Sequence, residues 1–388
     1  MTEHLPPNVP LTTIVREWGR IGFIGFGGPP AHIALFRQLC VDQRAWLSAV
    51  EFEDAVAAAN LLPGPASTQL AIFCAWRLRG KLGALLGGLC FIVPGLAIIL
   101  ALAVFFLAKN APLWVQGAAA GASAVVPVVA LSAALRLTRA SWQRTNEVVE
   151  RQIRWVCYFV AGTVAAITIG SYLVLVLLTC GLVELSLRRE PSSGLSHRAF
   201  ALFPTALTPL ASGGLLAVSW VAFKVGALSY GGGFVIVPLM QHDAVVTYHW
   251  MTGTQFLSAV ALGQVTPGPV VQTVAVVGYA AGGLGAGLLA ALVAFAPSFL
   301  IVIVGASHFD RLRSSALLQG FLTGAGAAVI GAIAGSSIPL ARELAHEWQF
   351  ALLGLGLVWL VALRRGVVTA LLGSGVLGVV AVLAGAPH

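Results

Sequence analysis

Charged residues are scarce in this chain: Asp, Glu, Lys and Arg make up 9% of its 388 residues, whereas a soluble domain carries about 25%. Hydrophobic residues make up 58%, and the mean hydropathy is +0.92. This composition excludes an ordinary soluble domain. Together with many apolar runs of about 20 residues, it predicts an all-α polytopic membrane protein. The apolar runs are continuous rather than alternating, which argues against a porin-type barrel.

Motifs that carry chemistry are absent as well. The five cysteines contain no C-x-x-C pair, which argues against a redox or metal-thiolate site. No phosphate-binding P-loop is present, so we do not expect ATP to drive this chain. The first ten residues, MTEHLPPNVP, contain no Lys or Arg, and no small-residue cleavage pattern follows them. We therefore expect no cleaved signal peptide. Because the motifs above are missing, we also expect no cofactor and no metal.

Long polar segments are also missing, and the largest are roughly 136–154 and 188–200. Any activity must therefore lie within the membrane bundle. The formal net charge is +8, but the basic residues sit in short loops between apolar runs. There they act as topology signals rather than as a nucleic-acid site. The lipid bilayer is the expected partner, and nucleic acid is not.

One motif occurs twice. Pro63-Gly64-Pro65, in NLLPGPASTQ, recurs as Pro267-Gly268-Pro269 in QVTPGPVVQT, at an offset of 267 − 63 = 204. Other pairs keep the same offset: Arg20 with Lys224, Gly22 with Gly226, Gly27-Gly28 with Gly231-Gly232, and Trp46 with Trp250. A constant register predicts an internal duplication, with homologous halves at 1–197 and 198–388.

The prolines interrupt apolar segments that are too short to cross a bilayer. In the first half the arms are 49–62 and 66–76, with rises of roughly 21 Å and 16 Å, against about 30 Å of hydrocarbon. They predict a re-entrant hairpin, and the second half repeats the plan at 254–266 and 270–282. With five further runs per half, we expect ten spans plus two re-entrant Pro-Gly-Pro hairpins. The alternative is that each arm crosses, tilted or in a locally thinned bilayer.

Loop charges indicate that the two halves are inverted. The loops at 37–48 and 77–81 carry Lys or Arg and are expected inside. Their counterparts at 241–252 and 281–286 contain neither residue and are expected outside. Inverted repeats with broken helices are typical of secondary transporters.

The repeated break is the first candidate site. Broken backbone at membrane depth is tolerated only where protein or a water-filled cavity satisfies it. If Pro65 and Pro269 are the first residues of helices, the free amides of 66–68 and 270–272 face the break and favour an anion. The side chains that add donors are Ser67, Thr68, Gln69, Gln272 and Thr273. A tetrahedral oxyanion fits these donors, and the alternative is a tight turn with no ligand.

Two intramembrane cations form a second candidate constellation. A Lys or Arg at the centre of a membrane helix costs about 2.5–3.5 kcal/mol or more, so the matched pair Arg20 and Lys224 is expected to attract or coordinate the anion. Snorkelling to the interface is the alternative. Asn60 and Gln264, which align with each other, are expected to line the cavity or to satisfy the turn.

Acidic residues and glycines supply further candidates. Glu51 or Asp54 could couple transport to protons in the first half alone, or could complement the helix dipole after an N-cap at Ser48. The glycines Gly27, Gly28, Gly231 and Gly232 either form a second layer of irregular backbone or allow close helix packing. His32 is expected to be a satisfied polar residue rather than a ligand.

These segments resemble the chromate ion transporter family, long-chain type, over nearly the whole chain. The matching stretches are FGGPPAHIALFRQLCVDQRAWLSAVEF, LLPGPASTQLAIFCAWRLRG, YGGGFVIVPLM and QVTPGPVVQTVAVVGY. The resemblance implies a multi-pass protein of the bacterial inner membrane that exports chromate. It further implies that the membrane potential or the proton gradient drives this export, and that the export makes the cell resistant to chromate. Cys74-Ala75-Trp76 departs from the small residues usual after the hairpin.

The residues themselves indicate only a small oxyanion. Sulfate has nearly the same shape and charge as chromate, so a transporter of sulfate or a related anion, including an importer, remains an alternative. An intramembrane chromate reductase is a third hypothesis, although the chain has no cofactor motif. Chromate or sulfate and protons are thus the expected small-molecule ligands, and assembly as a homodimer stays open.

Overall fold

The computed structural model describes residues 9–62, 64–108, 111–145, 148–188, 214–229, 234–305 and 315–387. Over these ranges the chain forms α-helices with short 3-10 and π-helical turns and has no strand. The helices of the first half are α1 Leu11–Ile24, α2 Pro29–Arg37, α3 Ala49–Leu61, α4 Ala66–Phe106, α5 Leu113–Trp142, α6 Val149–Thr168 and α7 Leu173–Leu187. Those of the second half are α8 Leu215–Leu228, α9 Ile236–Gln241, α10 Gly253–Val265, α11 Thr273–Gly305, α12 Ala316–Arg342, α13 Glu347–Leu357 and α14 Val367–Leu383.

Four helical stretches in the described ranges are long and apolar enough to cross a membrane: Ala66–Phe106, Leu113–Trp142, Val270–Gly305 and Leu317–Arg342. Shorter apolar helices accompany them. Many large apolar side chains, such as Leu292 and Val304, point outward, as lipid-facing residues do. The prediction of an all-α membrane protein is confirmed.

Glycines allow the backbone to leave the helix at two kinds of break. Between α1 and α2, Gly27 and Gly28 have φ of +100° and +73°, and at the Pro-Gly-Pro turns Gly64 and Gly268 have φ of +125° and +90°. Side chains with a Cβ rarely adopt these conformations. The residues Gly27 and Gly28 therefore form irregular backbone, as one of the two alternatives predicted.

The segment 77–81, predicted to be a loop, is a kink inside α4. The helix departs from helical geometry only at Arg79 and Gly80, and α11 does so at Gly282 and Gly283. Gly80 and Gly283, the positive-φ glycines of the two kinks, are 283 − 80 = 203 residues apart. The kinks therefore match at an offset one residue shorter than the 204 that relates the Pro-Gly-Pro motifs. The arm of α4 before its kink, residues 66–78, rises roughly 20 Å. It is shorter than about 30 Å of hydrocarbon, as predicted.

Other predicted loops are also largely helical. A π-helical turn over Gln38–Gln43 continues α2, and another over His242–Thr247 continues α9. Within 136–154, α5 runs on to Trp142 and α6 begins at Val149. Polar residues mark where a helix leaves the hydrocarbon and do not stop it. The basic side chain of Arg139 in the last turn of α5 even favours the helix end.

The two halves interlock. The central helices α4 and α11 pack on each other, with α1 against α4 and α8 against α11. Around them α6 and α7 of the first half pack on α12, while α13 and α14 of the second half pack on α5. Small residues permit these crossings: a Cβ on Gly162 would lie 1.9 Å from the Ala328 carbonyl oxygen, and one on Gly331 would lie 1.9 Å from that of Phe159.

Candidate functional site

Each Pro-Gly-Pro turn is hydrogen-bonded to a helix end of the other half. The Gly64 amide donates to the Ser229 carbonyl at 3.1 Å, and the Gly268 amide donates to the Gly25 carbonyl at 2.9 Å. Gly25 and Ser229 follow the last residues of α1 and α8, at an offset of 229 − 25 = 204. These bonds bring the two predicted halves of the site together. Pro63, Gly231 and Gly232, which were also predicted to contribute, lie outside the described residues.

The turns are also packed tightly against the central helices. A Cβ on Gly64 would lie 2.5 Å from Gln69 Nε2 and 3.0 Å from Ser298 Oγ. On the other side, a Cβ on Gly95 would lie 2.2 Å from the Pro267 carbonyl oxygen. Glycine is therefore required both in the first turn and in the helix that receives the second.

The helix starts differ from the prediction by one residue. Pro65 and Pro269 precede the helices rather than forming their first residues, and Val270–Gln272 is a 3-10 turn before α11. The Thr68 amide donates to the Pro65 carbonyl, and the Gln272 amide to the Pro269 carbonyl, each at 3.0 Å. The prediction that the amides of 66–68 and 270–272 all face the break is therefore wrong for Thr68 and Gln272. Tight first turns bond them within the helix.

Two predicted donors bond to their own turn. Gln272 Nε2 donates to the Pro267 carbonyl at 2.7 Å and to Thr266 Oγ1 at 3.1 Å. The Thr273 hydroxyl donates to the Val270 carbonyl at 2.8 Å. Both side chains thus stabilise the second turn. Ser67, Thr68 and Gln69 are buried at the start of α4.

Several buried polar atoms around the two breaks have no hydrogen-bond partner in the described protein. They are Thr68 Oγ1, Gln264 Nε2, Gln272 Oε1, Ser229 Oγ, Ser298 Oγ and His32 Nδ1. Leaving a buried polar group unsatisfied costs about 1–3 kcal/mol. The hydroxyls and the Gln264 amide are donors, and an oxyanion accepts from such groups.

Sequence reasoning missed Ser229 and Ser298. Ser229 precedes the glycine run in LSYGGGF, and Ser298 follows Pro297 within an apolar helix. A hydroxyl beside a helix-breaking residue in an apolar segment is the signal that could have identified both. Nothing in the sequence near Ser298 shows that it faces Gly64, because that contact joins opposite halves.

His32 connects three parts of the site. Its Nε2–H donates to the Gly25 carbonyl at 2.9 Å, the same oxygen that accepts from the Gly268 amide. The ring is buried and packs edge-on against Phe91. His32 is thus a residue of the core that is hydrogen-bonded through Nε2, while its Nδ1 has no partner in the described protein, so the expectation of a satisfied side chain holds for one ring nitrogen. Its bond joins α1, α2 and the second turn at one carbonyl.

The matched cations Arg20 and Lys224 have different environments. The Arg20 side chain is 56% exposed and lies 3.5 Å from the carboxylate of Glu17 on its own helix, which also lies 3.6 Å from Arg44. The Lys224 side chain is 7% exposed and forms an ion pair with Asp243, which is 1% exposed. Its ammonium lies 5.8 Å from the centre of the Trp220 ring. Of the two matched cations, Lys224 is therefore the buried one.

Asp243 is a functional candidate that the sequence analysis did not identify. It lies in the π-helical turn after α9, and such turns are frequent at functional sites. The position in the first half at the same offset is Leu39, so the duplication gave no signal. Burial raises the pKa of Tyr248, and the negative charge of Asp243 raises it further.

The predicted coupling acids lie on a more exposed helix. The Glu51 amide donates to the N-cap oxygen Ser48 Oγ at 3.2 Å, and the Glu51 carboxylate pairs with Arg77 on the other arm of the hairpin. Glu51 therefore has the helix-start position that the alternative described. Asp54 is half-buried, and Asn60 is exposed, whereas its counterpart Gln264 is buried.

The sequence model of a family described as "Chromate transporter" matches this chain twice, over residues 12–185 and again over 216–379. The chain belongs to the chromate transporter family. The two matches begin 216 − 12 = 204 residues apart, which is the offset of the repeated motif. One Pro-Gly-Pro turn lies in each, as do the glycine breaks to which the turns are bonded.

Relatives of the chromate transporter family cover most of the chain. A chromate transport protein of Cupriavidus metallidurans is 33% identical over 91% of this chain and 88% of its own length. A probable chromate transport protein of Synechococcus elongatus is 30% identical, over 91% and 90%. A chromate transport protein of Pseudomonas aeruginosa is 28% identical, over 97% and 94%. No solved structure matches the chain.

Proposed function

We propose that this protein is a secondary transporter that exports chromate across the bacterial inner membrane and so gives resistance to chromate. Membrane potential or a proton gradient supplies the drive. Membership of the chromate transporter family supports the substrate. The observation that carries the site is the pair of Pro-Gly-Pro turns, each bonded to the opposite half and surrounded by buried polar atoms that have no protein partner.

The architecture that we propose is two inverted repeats with ten spans and two re-entrant hairpins. Recurring backbone features support the repeat: Ala45 and His249, 204 residues apart, have φ of +48° and +51°, and each lies two residues after the end of a π-helical turn. The helices α3 and α10 have 13 residues each and rise about 20 Å, short of about 30 Å of hydrocarbon. Such arms meet at the bilayer centre if they enter from one side.

The site suits a doubly charged tetrahedral anion. Hydroxyl and amide donors can surround its oxygens, the helix starts after Pro65 and Pro269 add partial positive charge, and Lys224 lies five residues before Ser229 on α8. Five residues of helix correspond to a rise of roughly 7.5 Å. Most of these donors are neutral, so the anion can leave as well as enter. Sulfate has the same charge and nearly the same shape, and only measurement separates the two.

Uptake into proteoliposomes with imposed voltage and pH gradients tests the proposal. Purified protein should move labelled chromate without reducing it. Movement should be faster when the compartment that the anion enters is electrically positive. Chromate that is reduced but not moved would support an intramembrane reductase instead. Faster movement of sulfate than of chromate would support the alternative substrate, and cells that accumulate more chromate on expression would contradict export.

A further inference from the structure

The Lys224–Asp243 ion pair is a buried pair of charges near the proposed anion site. Lys224 Nζ contacts Asp243 Oδ2, and both side chains are almost fully buried. Trp220, one turn before Lys224, places its ring 5.8 Å from the ammonium. The pair joins α8, which packs on α11, to the π-helical turn after α9.

An anion and the Asp243 carboxylate compete for the ammonium of Lys224, so the anion cannot form a full ion pair with Lys224 while Asp243 is bound to it. If the anion takes the ammonium, the carboxylate is left buried without its cation. A buried carboxylate without a cation is costly, and binding a proton removes that charge. The geometry therefore connects the anion, Lys224 and one proton in a single exchange.

We propose that Asp243 is an internal counter-ion that the transported oxyanion displaces from Lys224, and that Asp243 binds a proton when it is displaced. The inference rests on the proposed function and adds its coupling group. The proton comes from water and joins a carboxylate oxygen of Asp243 as the ammonium moves to the anion. On release of the anion, the proton leaves and the ion pair forms again.

The titratable groups around Asp243 are few. Lys224 comes from α8, His242 and Tyr248 belong to its own segment, and Tyr172 lies in the short 3-10 turn that packs against that segment. The packed helices α9 and α10 contain no Asp, Glu, Lys, Arg, His, Cys or Tyr between 236–241 and 253–265. Lys224 is the charged partner of Asp243 shown by the contacts.

The exchange gives a definite stoichiometry. A chromate dianion and one proton move together, so one negative charge is carried out per cycle. An inside-negative potential favours that movement by about 2.3 kcal/mol per 100 mV. An acid-outside pH gradient opposes it, so this exchange assigns the driving force for export to the voltage. The first half lacks this pair, because Leu39 occupies the position that matches Asp243 and Arg20 is itself 56% exposed, beside a Glu17 carboxylate that also pairs with Arg44. Coupling is thereby assigned to the second half rather than to Glu51 or Asp54.

The test compares wild type with Asp243→Asn in proteoliposomes. Two readouts are needed: exchange of labelled chromate at equal concentrations, and net accumulation under a pH gradient with the voltage clamped. When the compartment from which chromate enters is more acidic, wild type should accumulate chromate about tenfold for each pH unit of difference. One proton moves with each anion, and one pH unit is a tenfold ratio of proton concentrations. Asp243→Asn should keep exchange within a few fold and lose this pH response. Glu53→Gln, which removes an exposed ion pair with Arg37, is the matched control and should behave as wild type.

Each other outcome has a definite meaning. An unchanged pH response in Asp243→Asn overturns the inference and leaves the transporter proposal standing, whereas a wild type that moves no oxyanion removes both. If Asp243→Asn also loses exchange, Asp243→Glu decides: a restored pH response supports the inference, and an inactive Glu variant shows a role in the fold alone. Wild-type coupling in the double variant Lys224→Gln, Asp243→Asn also overturns it.

Discussion

At the scale of residues, the proposed site depends on a few glycines that no other residue replaces easily. Gly64 and Gly268 combine a positive φ with close neighbours, and their amides supply the bonds between halves. The sequence shows these glycines plainly because prolines flank them. It does not show what their amides contact.

We expect Gly64→Ala to abolish transport. The strained backbone costs about 1–3 kcal/mol, and the new Cβ would lie 2.5 Å from Gln69 Nε2, so the turn must shift and its bond to Ser229 breaks. Chromate uptake and thermal unfolding in detergent measure the two effects. Gly373→Ala, at a helical position with no neighbour within 4 Å, is the control. Normal uptake by Gly64→Ala would show that the geometry of the turn is dispensable.

The two matched cations should differ in stability but not in importance for transport. Arg20→Ala and Lys224→Ala are each expected to abolish uptake with normal membrane insertion. Lys224→Ala should also destabilise the protein by about 3–5 kcal/mol, because it removes the cation that pairs with the buried Asp243 carboxylate. Arg20→Ala should cost less, because Arg20 is 56% exposed and the Glu17 carboxylate keeps its second cation, Arg44. Uptake and melting temperature are measured together, and wild-type uptake by either variant excludes that residue from the mechanism.

At the scale of elements, hydropathy predicted where the chain is apolar better than where helices end. Polar segments such as 37–48 and 136–154 were expected to be loops, yet α2 continues into a π-helical turn and α5 extends to Trp142. Hydropathy reports depth in the membrane, while helix ends depend on caps and on glycine or proline. The helices that cross between halves are fixed by close approach at small residues.

Gly331→Ala should weaken the contact between α6 and α12. Its Cβ would lie 1.9 Å from the Phe159 carbonyl oxygen, a backbone atom that cannot rotate away. Overpacking of this kind costs about 1–3 kcal/mol, measurable as a lower melting temperature in detergent. Gly354→Ala, which meets no atom within 4 Å, provides the comparison. Equal melting temperatures would mean that the helices separate at little cost.

At the scale of the whole molecule, the interlocked contacts make the two halves one unit: α13 and α14 pack on α5, and α6 and α7 pack on α12. The contacts are matched between the halves, because α5 receives the last two helices of the second half and α12 receives the last two of the first.

The inverted arrangement predicts opposite sides for matched positions. In a Cys157→Ser background, which removes an exposed native thiol, Ala45→Cys should react with an impermeant thiol reagent from the cytoplasmic side. His249→Cys should react from the outside. Both positions follow a π-helical turn in the same local backbone, so their intrinsic reactivity should be similar. Labelling of both from one side would contradict inversion.

The sequence by itself determined the membrane class, the repeated Pro-Gly-Pro motif and the family resemblance, because apolar length, proline and glycine act locally along the chain. Most candidate residues around the breaks followed from that motif. Only the tertiary structure decided which carbonyls receive the Gly64 and Gly268 amides, that Ser298 faces the first turn, and that Asp243 rather than an acid of α3 accompanies the buried lysine. These are contacts between residues far apart in the chain, and they depend on how the helices cross.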